Sequence, residues 1–170
     1  GEGVTRDLTK AFEWYLKAAN NGNTVAMFNV GMYYSKGQGV TQDLTKSFEW
    51  YLKGANNGDS DAMNSVGVCY GKGEGVTQDL TKSFEWYLKA ANKGKVSAMF
   101  NVGVCYGKGR GVTRDLTKSF EWYLKGANKG NACAMNSVGV CYSKGQGVAK
   151  DLTKSFEWYL KSANNGNADA

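Results

Sequence analysis

Residues 60–70 read S-D-A-M-N-S-V-G-V-C-Y, and Ala62, Val66, Cys69 and Tyr70 fall at i, i+4, i+7 and i+8. That spacing lays one apolar stripe along a helix. The next six residues, G-K-G-E-G-V, interrupt it with Gly71, Gly73 and Gly75, expected to supply the positive-φ backbone that a Cβ resists. Val76 is the only apolar residue of this loop and is expected to turn back between helices. Asp79 follows as an N-cap, its carboxylate accepting from the first free N–H groups of a second helix. In that helix Leu80, Ser83, Phe84, Tyr87 and Ala91 form an apolar stripe that Trp86 and Ala90 widen, while Thr81, Lys82, Glu85 and Lys89 occupy the polar face. Trp86 and Tyr87 are expected to be largely buried at the seam between helices. Gly94 ends the helix.

The same pattern recurs every 36 residues. Trp14, Trp50, Trp86, Trp122 and Trp158 are evenly spaced, each inside the string F-E-W-Y-L-K. A fixed period of this size signifies a stacked repeat architecture in which each unit touches only its neighbours. The spacing predicts second helices over 7–21, 43–57, 79–93, 115–129 and 151–165, and first helices over 24–35, 60–71, 96–107 and 132–143. First helices alternate between A-M-F-N-V-G and A-M-N-S-V-G, and Ala18, Gly54, Ala90 and Gly126 alternate with them, so the larger unit is a 72-residue doublet. Read as one array over 1–170, the chain holds a partial repeat at 1–23, complete helix pairs at 24–59, 60–95, 96–131 and 132–167, and the start of another at 168–170.

Repetition bears on function. Catalysis needs a few unlike groups converging on one point, whereas a repeat array presents the same groups along a surface. The chain has no histidine, the commonest member of acid–base and triad arrangements. Its acidic residues recur as helix caps (Asp7, Asp43, Asp79, Asp115, Asp151) or exposed helical glutamates. G-K-G-E-G lacks the G-K-[ST] ending of a phosphate loop. No enzymatic site, cofactor or metal ligand set is expected. The net charge of +6 is read as mild and spread along the length, with no basic run of the kind that marks a nucleic-acid arm. No stretch approaches the ~18 apolar residues of a membrane span. Neither nucleic acid nor membrane is expected as a partner.

The string A-M-N-S-V-G-V-C-Y-G-K-G-E-G-V-T-Q-D-L-T-K-S-F-E-W-Y-L-K-A-A-N-K-G at 62–94 resembles the Sel-one-like repeat, a relative of the tetratricopeptide repeat. The match rests on Ala62, Val66, Gly67, Tyr70, Gly73, Gly75, Val76, Asp79, Lys82, Trp86, Lys89, Ala90, Ala91 and Gly94, and it recurs in every unit. The resemblance implies an all-α, right-handed solenoid of antiparallel helix pairs, first helices on the concave side, acting as a protein–protein scaffold. Two departures are expected to cost a little packing: Val at 30, 66, 102 and 138, and Ser47, Gly54 and Ser162 where alanine is commoner. A cysteine-rich branch of that family staples its helix pairs, but Asn20, Asn56, Asn92 and Asn128 stand at the second-helix ends here. Cys133 and Cys141 are about 12 Å apart along one helix, too far to bridge. Cys69, Cys105, Cys133 and Cys141 are read as free thiols.

On that geometry a protein or peptide would contact Phe28, Met32, Asp61, Asn64, Val68, Phe100, Val104, Asn136 and Val140 on the concave face, with Lys36, Lys72, Lys108 and Lys144 at the rim. Neither end shows the polar substitutions of a capping repeat, so the chain reads as a window of a longer array. The alternative is end-to-end assembly of further copies into a filament through Phe12 and Tyr15 at one face and Phe156 and Tyr159 at the other.

Overall fold

A computed structural model describes residues 8–166 of the 170. The described residues form nine thirteen-residue α-helices and no strand: α1 (Leu8–Asn20), α2 (Thr24–Lys36), α3 (Leu44–Asn56), α4 (Ser60–Lys72), α5 (Leu80–Asn92), α6 (Val96–Lys108), α7 (Leu116–Asn128), α8 (Ala132–Lys144) and α9 (Leu152–Asn164). Helix ends lie within one residue of the expected ones. The capping role of Asp7 and the repeat start at 168–170 fall outside the described residues. The chain divides into two compact units, one holding α1–α4 and ending at Asp79, the other beginning at Leu80 and holding α5–α9.

Within each unit consecutive helices pack antiparallel. Ser155 near the start of α9 donates its hydroxyl to the Gly139 carbonyl late in α8, while Ser162 near the end of α9 donates to Ala132 at the start of α8. First helices supply the innermost residues: Val30, Val66, Val102 and Val138 have no exposed surface, and the neighbouring alanines and methionines are buried. The first unit's core joins Phe12, Ala19, Ala26, Met27 and Val30, with Val40 of the loop packed against it as expected of its slot. The second unit has a counterpart in Ala127, Ala134, Met135 and Val138, supported by Phe100, Tyr123 and Leu124.

Caps and glycines hold the turns. Asp43, Asp115 and Asp151 accept from the backbone N–H of Lys46, Lys118 and Lys154 at 2.9 Å. The first helices carry caps that the sequence reading overlooked: Asn23, Asp59 and Asn131 accept from Ala26, Ala62 and Ala134. Lys95 fills that slot in α6 without a side-chain capping bond. Gly73 and Gly75 have φ of 75° and 73°, but Gly71 belongs to the last turn of α4. Gly75 must be glycine twice over, because a Cβ there would also collide with the Leu44 carbonyl.

Three expectations need correction. Trp86 and Tyr87 are half-buried, not largely buried; Lys89, three residues on, lays its ammonium over the Trp86 ring at 4.3 Å, so one face of the indole covers an aliphatic stem and charge instead of core. Ser47 is no loss of packing: buried, it donates to the Gly31 carbonyl at 2.8 Å, and Ser119 does the same to Gly103 at 2.7 Å. Among the end-face residues, Phe12 is only 8% exposed, edge-on to Tyr34 at 5.3 Å, and half-buried Tyr159 rests on Gly139 of α8. The phenylalanine slot faces the following first helix and the tyrosine slot faces the preceding one. Neither residue therefore belongs to an outer face, whereas Phe156 is 68% and Tyr15 37% exposed.

Candidate functional site

First helices must bury one side and can offer the other. Ala62, Met63, Val66 and Gly67 turn inward on α4, which leaves Asp61, Asn64 and Val68 on the opposite flank, all half-buried. Phe28 and Met32 hold the equivalent positions on α2 in the first unit; Phe100 and Val104 on α6, with Asn136 and Val140 on α8, hold them in the second. All are half-buried. The expected contact residues thus share one helix face in every repeat. One turn earlier the slot is Val25, 59% exposed, then Asp61, Ser97 and the exposed Cys133. Lys36, Lys72, Lys108 and Lys144 are exposed at the C-terminal end of each first helix.

The aromatic positions of this face are braced. Phe28 leans on Tyr51 and Phe100 on Tyr123, each with ring centroids 5.7 Å apart at 37°. Those tyrosines lie against helical glycines: a Cβ at Gly31 or Gly103 would approach the ring to 2.6 Å. Removing the side chain from the first helix lets the ring of the second seat on its backbone. Phe28 and Phe100 therefore present one edge of a fixed stack, a low-entropy arrangement for contact. Asn64 and Asn136 replace that edge with an amide.

A second feature lies at the loop ends of the helices, where the sequence reading saw only turns. In the first unit a cavity of about 110 Å³ is lined by Ser35, Leu44, Ser47, Tyr51, Ser65, Val68, Cys69 and Glu74. In the second, one doublet later, a cavity of about 180 Å³ is lined by Gly107, Lys108, Arg114, Leu116, Ser119, Tyr123, Cys141 and Gln146. Burial pushes the thiols of Cys69, Cys105 and Cys141 up to about 11 and raises the Tyr51 and Tyr123 hydroxyls. All remain protonated near neutral pH and make poor nucleophiles. Among the described residues no cluster of His, Cys, Asp or Glu could hold a metal, and no helix is long and apolar enough to cross a membrane.

The division into units also corrects the even spread of charge. Residues 1–79 carry seven Lys and Arg against nine Asp and Glu, whereas residues 80–170 carry fourteen against six. All the positive excess belongs to the second unit. The lysines that recur in every repeat mask it; the slots that differ between repeats (Lys93, Lys95, Arg110, Arg114, Lys129, Lys150) create it.

Comparison with known proteins agrees with the fold. The family model for the Sel1 repeat matches residues 1–23, 24–59, 60–95, 96–131 and 134–167. A Sel1 repeat protein from Oxalobacter formigenes superimposes with a TM-score of 0.93 at 38% identity, covering 98% of this chain and 68% of its own. A protective antigen of uropathogenic Escherichia coli displaying an SLR fold gives 0.91, also at 38% identity and 98% coverage, but this chain spans only 36% of its length. An immunity protein of Pseudomonas aeruginosa shares the fold at 23% identity and a TM-score of 0.66, with 96% of this chain and 60% of that one covered. No curated protein sequence matches the chain. With the family's motif in all five spans and its all-helical fold in the structure, the chain belongs to the Sel1 repeat family.

Proposed function

We propose that the chain is a non-catalytic docking scaffold that binds an extended or helical segment of a partner protein along the outward face of its first helices. Sel1 repeat proteins generally mediate protein–protein interaction. The observation that carries the reading is the recurrence of a half-buried contact position at the same place in each first helix, Phe28, Asn64, Phe100 and Asn136, braced by a tyrosine ring at Phe28 and Phe100. Within either unit, an amphipathic or extended segment reads the pair of positions, Phe28 with Asn64 or Phe100 with Asn136, through regularly spaced anchors.

The test is selection of displayed random peptides on the immobilised chain, followed by affinity measurement on variants. Binding should fall in Asn64→Arg/Asn136→Arg, which places bulk and charge in the row, and persist in Glu85→Arg on an exposed second-helix position. Binders lost only with the Glu85 change would overturn the reading.

A second reading, end-to-end association of copies, is supported by α9, where Leu152, Phe156 and Leu160 are 64%, 68% and 52% exposed. A contiguous apolar strip of this kind marks an interaction surface or an aggregation hazard. Sedimentation velocity at rising concentration tests it: self-association abolished by Phe156→Lys supports it, and a concentration-independent monomer opposes it.

A further inference from the structure

The two loop-end cavities share one geometry and differ in charge. At the mouth of the first-unit cavity stands Glu74, 3.4 Å from Lys72 in an ion pair. At the mouth of its second-unit counterpart stand Lys108 and Arg114, and Gln146 replaces the glutamate. Among the described residues neither Lys108, Arg110 nor Arg114 is paired with a carboxylate.

The charge at Arg114 is not needed by the fold. Its Nε–H donates to the Gly107 carbonyl at 3.1 Å, closing the loop onto the end of α6. Gln42 and Gln78 make the same closure, each donating Nε2–H to Ser35 or Gly71 at 2.8 Å. Glutamine therefore suffices for structure. Arginine in that slot adds a cation and leaves the rest of its fork of donors unspent, a fork that matches a carboxylate. Arg110 likewise stands where Gln38 and Gln146 serve elsewhere.

We propose that the cavity between α6, α7 and α8 is a docking site for an acidic side chain carried on a partner protein segment. Lys108 and Arg114 hold the carboxylate, and Leu116 and Tyr123 receive the adjoining apolar atoms. The cavity, about 180 Å³, is smaller than the roughly 300–1,000 Å³ of small-molecule sites, which suits one inserted side chain more than a whole free ligand. The surplus of basic residues in the second unit draws an acidic segment toward it before contact. The site rests on the reading of the chain as a protein-docking scaffold, but it lies at the loop ends and not in the first-helix row.

The experiment uses the whole chain and a fluorescent peptide alternating leucine and glutamate, with its leucine–glutamine counterpart as control, read by anisotropy. Expected are binding of the glutamate peptide alone, weakening in high salt, and a loss of about tenfold in Lys108→Gln/Arg114→Gln, the cost of roughly two charge-assisted contacts at a partly exposed site. That variant keeps the loop closure seen at Gln42, and circular dichroism should confirm unchanged helicity. Lys46→Gln/Lys53→Gln, on an exposed second-helix face of the first unit, removes the same charge and should leave binding within about twofold, the scale of an exposed, screened charge. Equal loss in both variants, equal binding of the glutamine peptide, or tighter binding of a single-stranded oligonucleotide of the same charge would overturn the proposal. If the acidic peptide fails while library-selected binders are still lost in Asn64→Arg/Asn136→Arg, this inference falls and the scaffold reading stands.

Discussion

Gly103→Ala sets two effects of opposite sign against each other. Alanine for glycine within a helix gains ~1 kcal/mol in backbone entropy. A methyl at that position, however, would lie 2.6 Å from both Cδ1 and Cε1 of Tyr123, where carbon atoms ordinarily rest ~3.5–4.0 Å apart. The ring would have to withdraw by about 1 Å from a place fixed by Phe100 on one side and the second unit's core on the other. Overpacking of this kind costs ~1–3 kcal/mol, so the net change should be a loss of about 1 kcal/mol. In a Tyr123→Ala background the obstacle is gone and the same substitution should stabilise by ~1 kcal/mol. Urea unfolding of the four proteins, followed by far-ultraviolet circular dichroism, measures both effects and their coupling. The sign should reverse between backgrounds. Equal stabilisation in both would refute the seating of the tyrosine ring on the α6 backbone, and with it the same arrangement at Gly31 and Gly139.

Three further outcomes are expected. Lys95→Asn should supply the cap that Asn23 and Asn131 provide elsewhere, adding about 1 kcal/mol and raising Tm by roughly 2–4 °C; an unchanged Tm would show the slot to be indifferent. Of the four thiols, only exposed Cys133 should react quickly with a disulfide reagent near neutral pH, since burial pushes the other three up to about 11. They should react only through local opening, and fast titration of two or more thiols in native protein would contradict this. The N–H of Lys118 holds the Asp115 carboxyl below its ordinary 3.8, so its contribution is full above that value and disappears as pH falls through the lowered one. Asp115→Asn should flatten that part of the acid-stability profile, and a profile identical to wild type would deny the cap its ionic character.

The helices were legible because their punctuation is chemical and periodic. Asp43, Gly73 and Gly94 each act through their own backbone preferences, so the boundaries followed from residues 36 apart. The first-helix caps carry a sequence signal too, the Asn or Asp after Gly22, Gly58 and Gly130, but Lys95 after Gly94 breaks its period. What periodicity could not supply was direction. It places Phe12 and Tyr159 on an apolar stripe but cannot say that one side chain reaches forward to Tyr34 and the other back to Gly139. It also counts Trp86 as apolar without knowing that Lys89 covers its ring. The buried hydroxyl of Ser47 looked like a weakened alanine because its acceptor, the Gly31 carbonyl, lies on another helix. The charge asymmetry needed a boundary at Asp79 before the counts could separate.

The central claim is that the outward flank of the first helices is where a partner segment lies. Amide shift mapping of the isotope-labelled chain, titrated with a peptide selected on it, tests this most directly. The account predicts the largest perturbations at Phe28, Asn64, Val68, Phe100, Val104, Asn136 and Val140, recurring with the repeat. Perturbations confined to the exposed second-helix positions, such as Glu49, Glu85 and Glu121, would contradict it.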